Sequence, residues 1–158
     1  MNTNSEVVLA LLDAGALTEH KDSNGATALM LAAKNNANPD VSQLLIEAGA
    51  DVHARANDGK SAIGRAATFS PNPAIIHLLC NAGAKVNEPM GEKGASPLML
   101  AAQHNPSLSV LKALIAKGAD VNQVSAAGAS PLIFAVTKNP NHEITAALLD
   151  AGADIEHR

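Results

Sequence analysis

The 158-residue sequence predicts an all-α repeat solenoid, in which short helix-turn-helix units stack side by side and each is followed by a protruding, β-hairpin-like loop. Three observations carry this. Glycines recur at Gly15, Gly49, Gly83, Gly118 and Gly152, at spacings of 34, 34, 35 and 34 residues. A second series, Gly25, Gly59, Gly94 and Gly128, precedes the next member of the first by 24 residues in every copy. Between the two series the apolar residues keep a helical period, and they are small: the only aromatics are Phe69 and Phe134. A core of Ala, Leu, Ile, Val and Met suits repetitive helix packing, in which each unit buries its apolar face only against its neighbours.

The elements follow in chain order as one domain, 1–158, with a partial unit at 1–24 and full units at 25–58, 59–93, 94–127 and 128–158. Residues 5–16, "SEVVLALLDAGA", match only the second helix of a unit. Each full unit then opens at a hydroxyl residue, Thr27, Ser61, Ser96 or Ser130, followed by Ala or Pro. A hydroxyl before Pro is an N-cap before N1, so a short first helix starts there, over 28–35 in the first full unit. Asn38, Asn72, Ser107 and Asn141 share the next column and open a second helix. Val41, Leu44, Leu45 and Ile46 form its apolar stripe, repeated as Ile75, Leu78, Leu79 and Cys80. The first glycine series stops that helix, where a left-handed residue is required. An extended piece follows, with Val52, Val86, Val121 and Ile155 in one column. The extra residue of the third interval falls between Gly83 and Gly94.

The totals exclude several classes. A net charge of −4 without a basic run disfavours a nucleic-acid partner. One cysteine, Cys80, forms no internal disulfide framework, and its column is otherwise Leu12, Ile46, Ile115 and Leu149, so a buried hydrophobe is expected. No apolar run approaches about 20 residues, so a membrane span is not expected. "MNTNSEVV" lacks a basic segment followed by an apolar one, which makes the cytoplasm the expected compartment, or the periplasm if a leader has been removed.

"GATALMLAA", "GASPLMLAA" and "LLIEAGADV" resemble the ankyrin repeat, whose units carry G-x-T-P-L-H-x-A-A and L-L-x-x-G-A-D-V. The resemblance covers nearly the whole chain and implies a stack of helix pairs with a concave face, formed by loop tips and first helices, that binds other proteins. Three departures stand out. The usual first-helix His is replaced by Met30, Gly64, Met99 and Ile133, so its hydrogen bond to neighbouring loops is lost. Units are one residue longer than the common length, between the helices. The second unit, "KSAIGRAAT", places Gly64 and Arg65 where the others have "ML" or "IF", and its first helix is expected to be the least stable. Neither end reads as a polar cap, so Leu148, Leu149 and Ile155 are expected to be partly exposed, with end-to-end association open beside a monomer.

No catalytic constellation is legible. His20, His53, His77, His104, His142 and His157 fall in different columns, apart from His20 and His157 at opposite ends, and no pair has helical ligand spacing. "GEKG" lacks a P-loop pattern, and Asp150 and Asp154 flank a glycine stop as turn residues. No enzyme activity, cofactor or metal is expected.

The resemblance nominates a partner surface. Leu31, Arg65, Leu100 and Phe134 form a row across the groove, of which Leu31, Leu100 and Phe134 could equally be interior, and Thr68, Phe69, Gln103, His104 and Lys138 lie at the ends of first helices. Arg55, Asn57, Lys60, Glu88, Met90 and Lys93 lie at loop tips. Phe69 is expected to be exposed as an anchor, or else folded into the space beside Gly64; Met90 either offers an adaptable apolar tip or is an ordinary loop Met following Pro89. Arg65 pairs either with a partner's carboxylate or with Asp58. The function expected is a non-catalytic protein-binding module, in its sharper form an inhibitor or immunity protein, itself of bacterial type, that acts on a partner enzyme. The alternative is a fragment of a larger scaffold or effector whose activity lies elsewhere.

Overall fold

The computed structural model describes residues 3–35 and 38–155; His157 lies outside them. First-type helices α2 (Ala28–Asn35), α4 (Ala62–Phe69), α6 (Pro97–His104) and α8 (Pro131–Lys138) pack in sequence to form one layer. Second-type helices α1 (Thr3–Asp13), α3 (Pro39–Glu47), α5 (Pro73–Asn81), α7 (Leu108–Ala116) and α9 (His142–Asp150) form the layer behind it. The expected solenoid is therefore formed, with α1 the lone second helix of the leading half unit.

Local chemistry starts and stops these helices. Ser96 and Ser130 accept from the backbone N–H of Met99 and Ile133, with Pro at the first helical position in both. The Met99 thioether, in the column where the family carries His, accepts the Ser96 N–H at 3.4 Å. Asn38, Asn72 and Asn141 cap the second helices through Asp40, Ala74 and Glu143. Ser107 does not cap; its hydroxyl donates to the Pro71 carbonyl of the preceding unit. At the helix ends, Gly49 at φ +88° closes α3 with Gly49 N–H to Ile46 and Ala50 N–H to Leu45 carbonyls, both 2.9 Å. Those two bonds form a Schellman motif, which satisfies carbonyls that the last turn leaves free.

Between the layers lies a continuous aliphatic core in which Ile63, Ile76, Leu79, Leu98, Leu111 and Leu114 are essentially inaccessible. Burying each such side chain stabilises the stack by about 1.5–3 kcal/mol. The ends differ from the middle: Leu11, Leu17, Leu149 and Ile155 are exposed. Leu148 corrects the expectation at this end, because it is wholly buried and only its neighbour Leu149 faces outward.

The described residues contain no strand. Three loop tips close with a single backbone bond across four residues, Asp22 to Ala26, Ala56 to Lys60 and Ser125 to Ala129, at 3.0–3.1 Å. The third tip instead makes reciprocal Met90–Ala95 bonds of 2.9 and 3.0 Å, an isolated antiparallel bridge spanning one residue more. The extra residue of the third interval therefore lies inside this tip.

Polar side chains tie the units together. The Asn105 carboxamide is buried, donates to the carbonyls of Ala67 (3.0 Å) and Ser70 (2.8 Å), and accepts from Ser107 N–H (2.9 Å). Asn139 repeats this one unit later, on Ala102 and Asn105. On the glycine-stop side, Asn87 and Asn122 bridge to Gly118 and Gly152.

Candidate functional site: the concave groove

The second and third loop tips in chain order and the helices α6 and α8 enclose a groove of about 740 Å³. Its lining comes from two adjoining tips, through Arg55, Lys60, Met90 and Lys93 among others, and from Leu100, Gln103, His104 and Phe134 of the helices. Ion pairs shape one wall. Asp58 faces two cations, Lys60 Nζ and Arg65 Nη2, each at 3.0 Å. Partial burial opposes the Asp58 charge, but hydrogen bonds from Lys60 and the charge of Arg65 prevail and hold its carboxyl below the usual aspartate range. Arg55 bridges two tips, with Glu88 Oε1 at 2.7 Å, the Gly59 carbonyl at 2.8 Å and the Pro89 carbonyl at 3.2 Å. At the first tip, the Asn57 N–H donates to the Asn24 carbonyl at 2.9 Å.

A family model of ankyrin repeats (3 copies) matches residues 1–90 and 65–158, two overlapping stretches that cover the chain. The chain belongs to the ankyrin repeat family. No curated protein matches it. Ankyrin repeats are protein–protein interaction modules, and the groove is the face formed in this array by tips and first helices.

Within the ankyrin frame, the nominated residues divide. Phe69 is half-exposed, with Lys34 Nζ 5.0 Å from its ring centroid, a cation–π contact between adjacent first helices. It does not occupy the space beside Gly64. Arg65 takes the local alternative, pairing with Asp58. His104 and Lys138 are exposed at helix ends, Gln103 is half-buried, and Lys93 is exposed at its tip, where its carbonyl accepts Ala126 N–H at 3.0 Å. Burial of the His104 ring, then the charges of Lys138 and Lys60, lower its pKa below that of a free histidine. Leu100 lies in the interior under the groove, whereas Leu31 is exposed.

Two nominations are corrected. Met90 does not offer an apolar tip: it is 2% exposed, and its thioether fills the space above Gly64, where an added Cβ would collide with Sδ. The Ser61 hydroxyl donates to the same sulfur at 3.8 Å. The lengthened tip, the glycine and Ser61, which stands at the N-cap of α4 without a side-chain cap bond, are one packing arrangement, so the most deviant first helix is covered where its sequence looks deficient. Thr68 is likewise no contact residue, since its hydroxyl turns inward to the Gly64 carbonyl at 2.7 Å. Sequence reasoning underrated Lys34 and Asp58; the pairing of Lys34 with Phe69, one column apart in neighbouring units, was the available signal.

Cys80 is half-buried against the core in its apolar column, and burial, only partly opposed by the Lys117 charge, raises its thiol pKa. Among the described residues no three His, Cys, Asp or Glu side chains are grouped to hold a metal ion. No helix among them is long and apolar enough to cross a membrane.

Proposed function

We propose that this ankyrin array is a non-catalytic module that binds one partner protein in its concave groove. In the sharper form it is an inhibitor or immunity protein that covers the active site or substrate cleft of a partner enzyme. One observation carries the reading: of only two aromatic rings in the chain, Phe134 lines the groove and Phe69 stands half-exposed on the same face, fixed by Lys34. A rigid, partly desolvated ring beside fixed ion pairs is the composition of an interface hot spot. A second reading, in which these units belong to a larger scaffold or effector, draws on the notch of about 320 Å³ beside α1. Val8, Leu11, Leu17 and Leu31 line it, the kind of surface a further first-type helix would cover.

The test is capture from cells that contain the chain, comparing it with Phe69→Ala. Because the ring is half-exposed, this variant keeps its fold. A protein retained by the native chain and lost by more than tenfold with the variant supports the groove; if that protein is an enzyme, its assay with and without the chain decides the inhibitor form. Capture that the variant leaves intact overturns the groove as the binding face.

A further inference from the structure

The two helix layers carry opposite charge. The second-type helices hold six acids, Glu6, Asp13, Asp40, Glu47, Glu143 and Asp150, against one lysine, Lys112. The first-type helices hold Lys34, Arg65 and Lys138 and no acid at all. The net charge of −4 is therefore carried outside the first-helix layer, which is itself cationic. Lys93 at the rim and Lys138 beyond Phe134 stand outside the ion pairs formed among the described residues, while Asp58 must serve two cations at once.

These charges alternate with apolar groups in a fixed pattern. Each first-type helix places a cationic or imidazole side chain three or four residues from a hydrophobe: Leu31 with Lys34, Arg65 with Phe69, Leu100 with His104, and Phe134 with Lys138. Neighbouring packed helices lie roughly 8–10 Å apart. An extended chain advances about 3.3 Å per residue. A strand-like segment crossing the helices therefore passes one helix about every third residue, with room between for an apolar side chain against Phe69 or Phe134.

We propose that the concave face recognises an extended segment of its partner whose carboxylates are about six and then three residues apart, with apolar residues between them. This rests on the groove-binding reading above and adds the chemistry of the occupant. Lys34, His104 and Lys138 take the carboxylates, because Arg65 is already held by Asp58. A carboxylate beside His104 favours the protonated imidazole, which burial and then the charges of Lys138 and Lys60 disfavour in the free chain, so binding should strengthen as pH falls.

Selection of a random dodecamer display library on the immobilised full chain tests this, with a Lys34→Glu, Lys138→Glu variant as counter-selection. Both sites are on the surface, and circular dichroism confirms that the variant is folded. The expected result is enrichment of Asp or Glu at positions about six and then three residues apart, with Leu, Ile or Phe between them. A synthetic peptide of the enriched sequence should lose at least tenfold in affinity with the variant, and as much again when its acids are changed to amides. Neutral or basic enriched sequences that still lose binding with Phe69→Ala overturn the charge pattern and leave the groove-binding reading standing. Enrichment that neither the charge variant nor Phe69→Ala affects overturns both readings, and no enrichment over the variant overturns the acidic-segment proposal. Tighter binding of oligothymidylate than of the acidic peptide also overturns it.

Discussion

Gly64 and Met90 lie 26 positions apart in sequence yet share one space, and a double-mutant cycle measures that coupling. In an ordinary helix interior, Gly→Ala stabilises by about 0.8–1 kcal/mol because alanine loses less backbone entropy. At Gly64 the new methyl collides with a buried thioether, and such overpacking costs about 1–3 kcal/mol. Gly64→Ala in the native chain is therefore expected to be neutral or destabilising by up to about 2 kcal/mol. Met90→Ala removes a side chain that is 2% exposed and should cost about 2–5 kcal/mol. In the Met90→Ala background the clash is gone, and Gly64→Ala should stabilise by about 1 kcal/mol. The coupling energy is then about 1–3 kcal/mol. Because the chain has no Trp or Tyr, urea unfolding is followed by helical circular dichroism, comparing midpoints at constant slope. A coupling below about 0.5 kcal/mol would refute the arrangement, since Gly64→Ala would then act identically whether or not Met90 is present.

Two further perturbations test the frame around the groove. Gly49 and Gly59 both adopt positive φ, but a Cβ at Gly49 meets open space while one at Gly59 meets the Gly91 backbone at 2.9 Å. Gly49→Ala should cost about 1–2 kcal/mol from strain alone. Gly59→Ala should cost distinctly more in the same urea titration, and equal costs would show that the loop tips do not pack as described. Asn105→Ala removes two donors and an acceptor from the junction of the second and third units and should cost at least about 2 kcal/mol. Hydrogen exchange should place the lost protection first at Ala67–Ser70 and Ser107, and uniform loss across the array would argue against a local staple.

The sequence alone was enough for the period, the helix starts and the helix stops. These are local matters: a hydroxyl or amide before the first turn and a left-handed glycine after the last act within four residues, so Ser96, Asn72 and Gly49 are legible one copy at a time. The cationic character of the first helices was also written in the chain, as residue types in phase with the repeat. Only the tertiary structure decided which side chains of the candidate site remain free. Met90 looked like a loop tip because nothing near it in sequence shows that Gly64, 26 residues earlier in the same unit, leaves a space for it. Arg65 could pair inward or outward until Asp58 was placed 3.0 Å away, and Leu148 could face solvent until α7 and α8 packed against its helix. Each of those outcomes depends on a neighbour in another element, and stacking distances are set by packing, which the order of residues within one unit does not record.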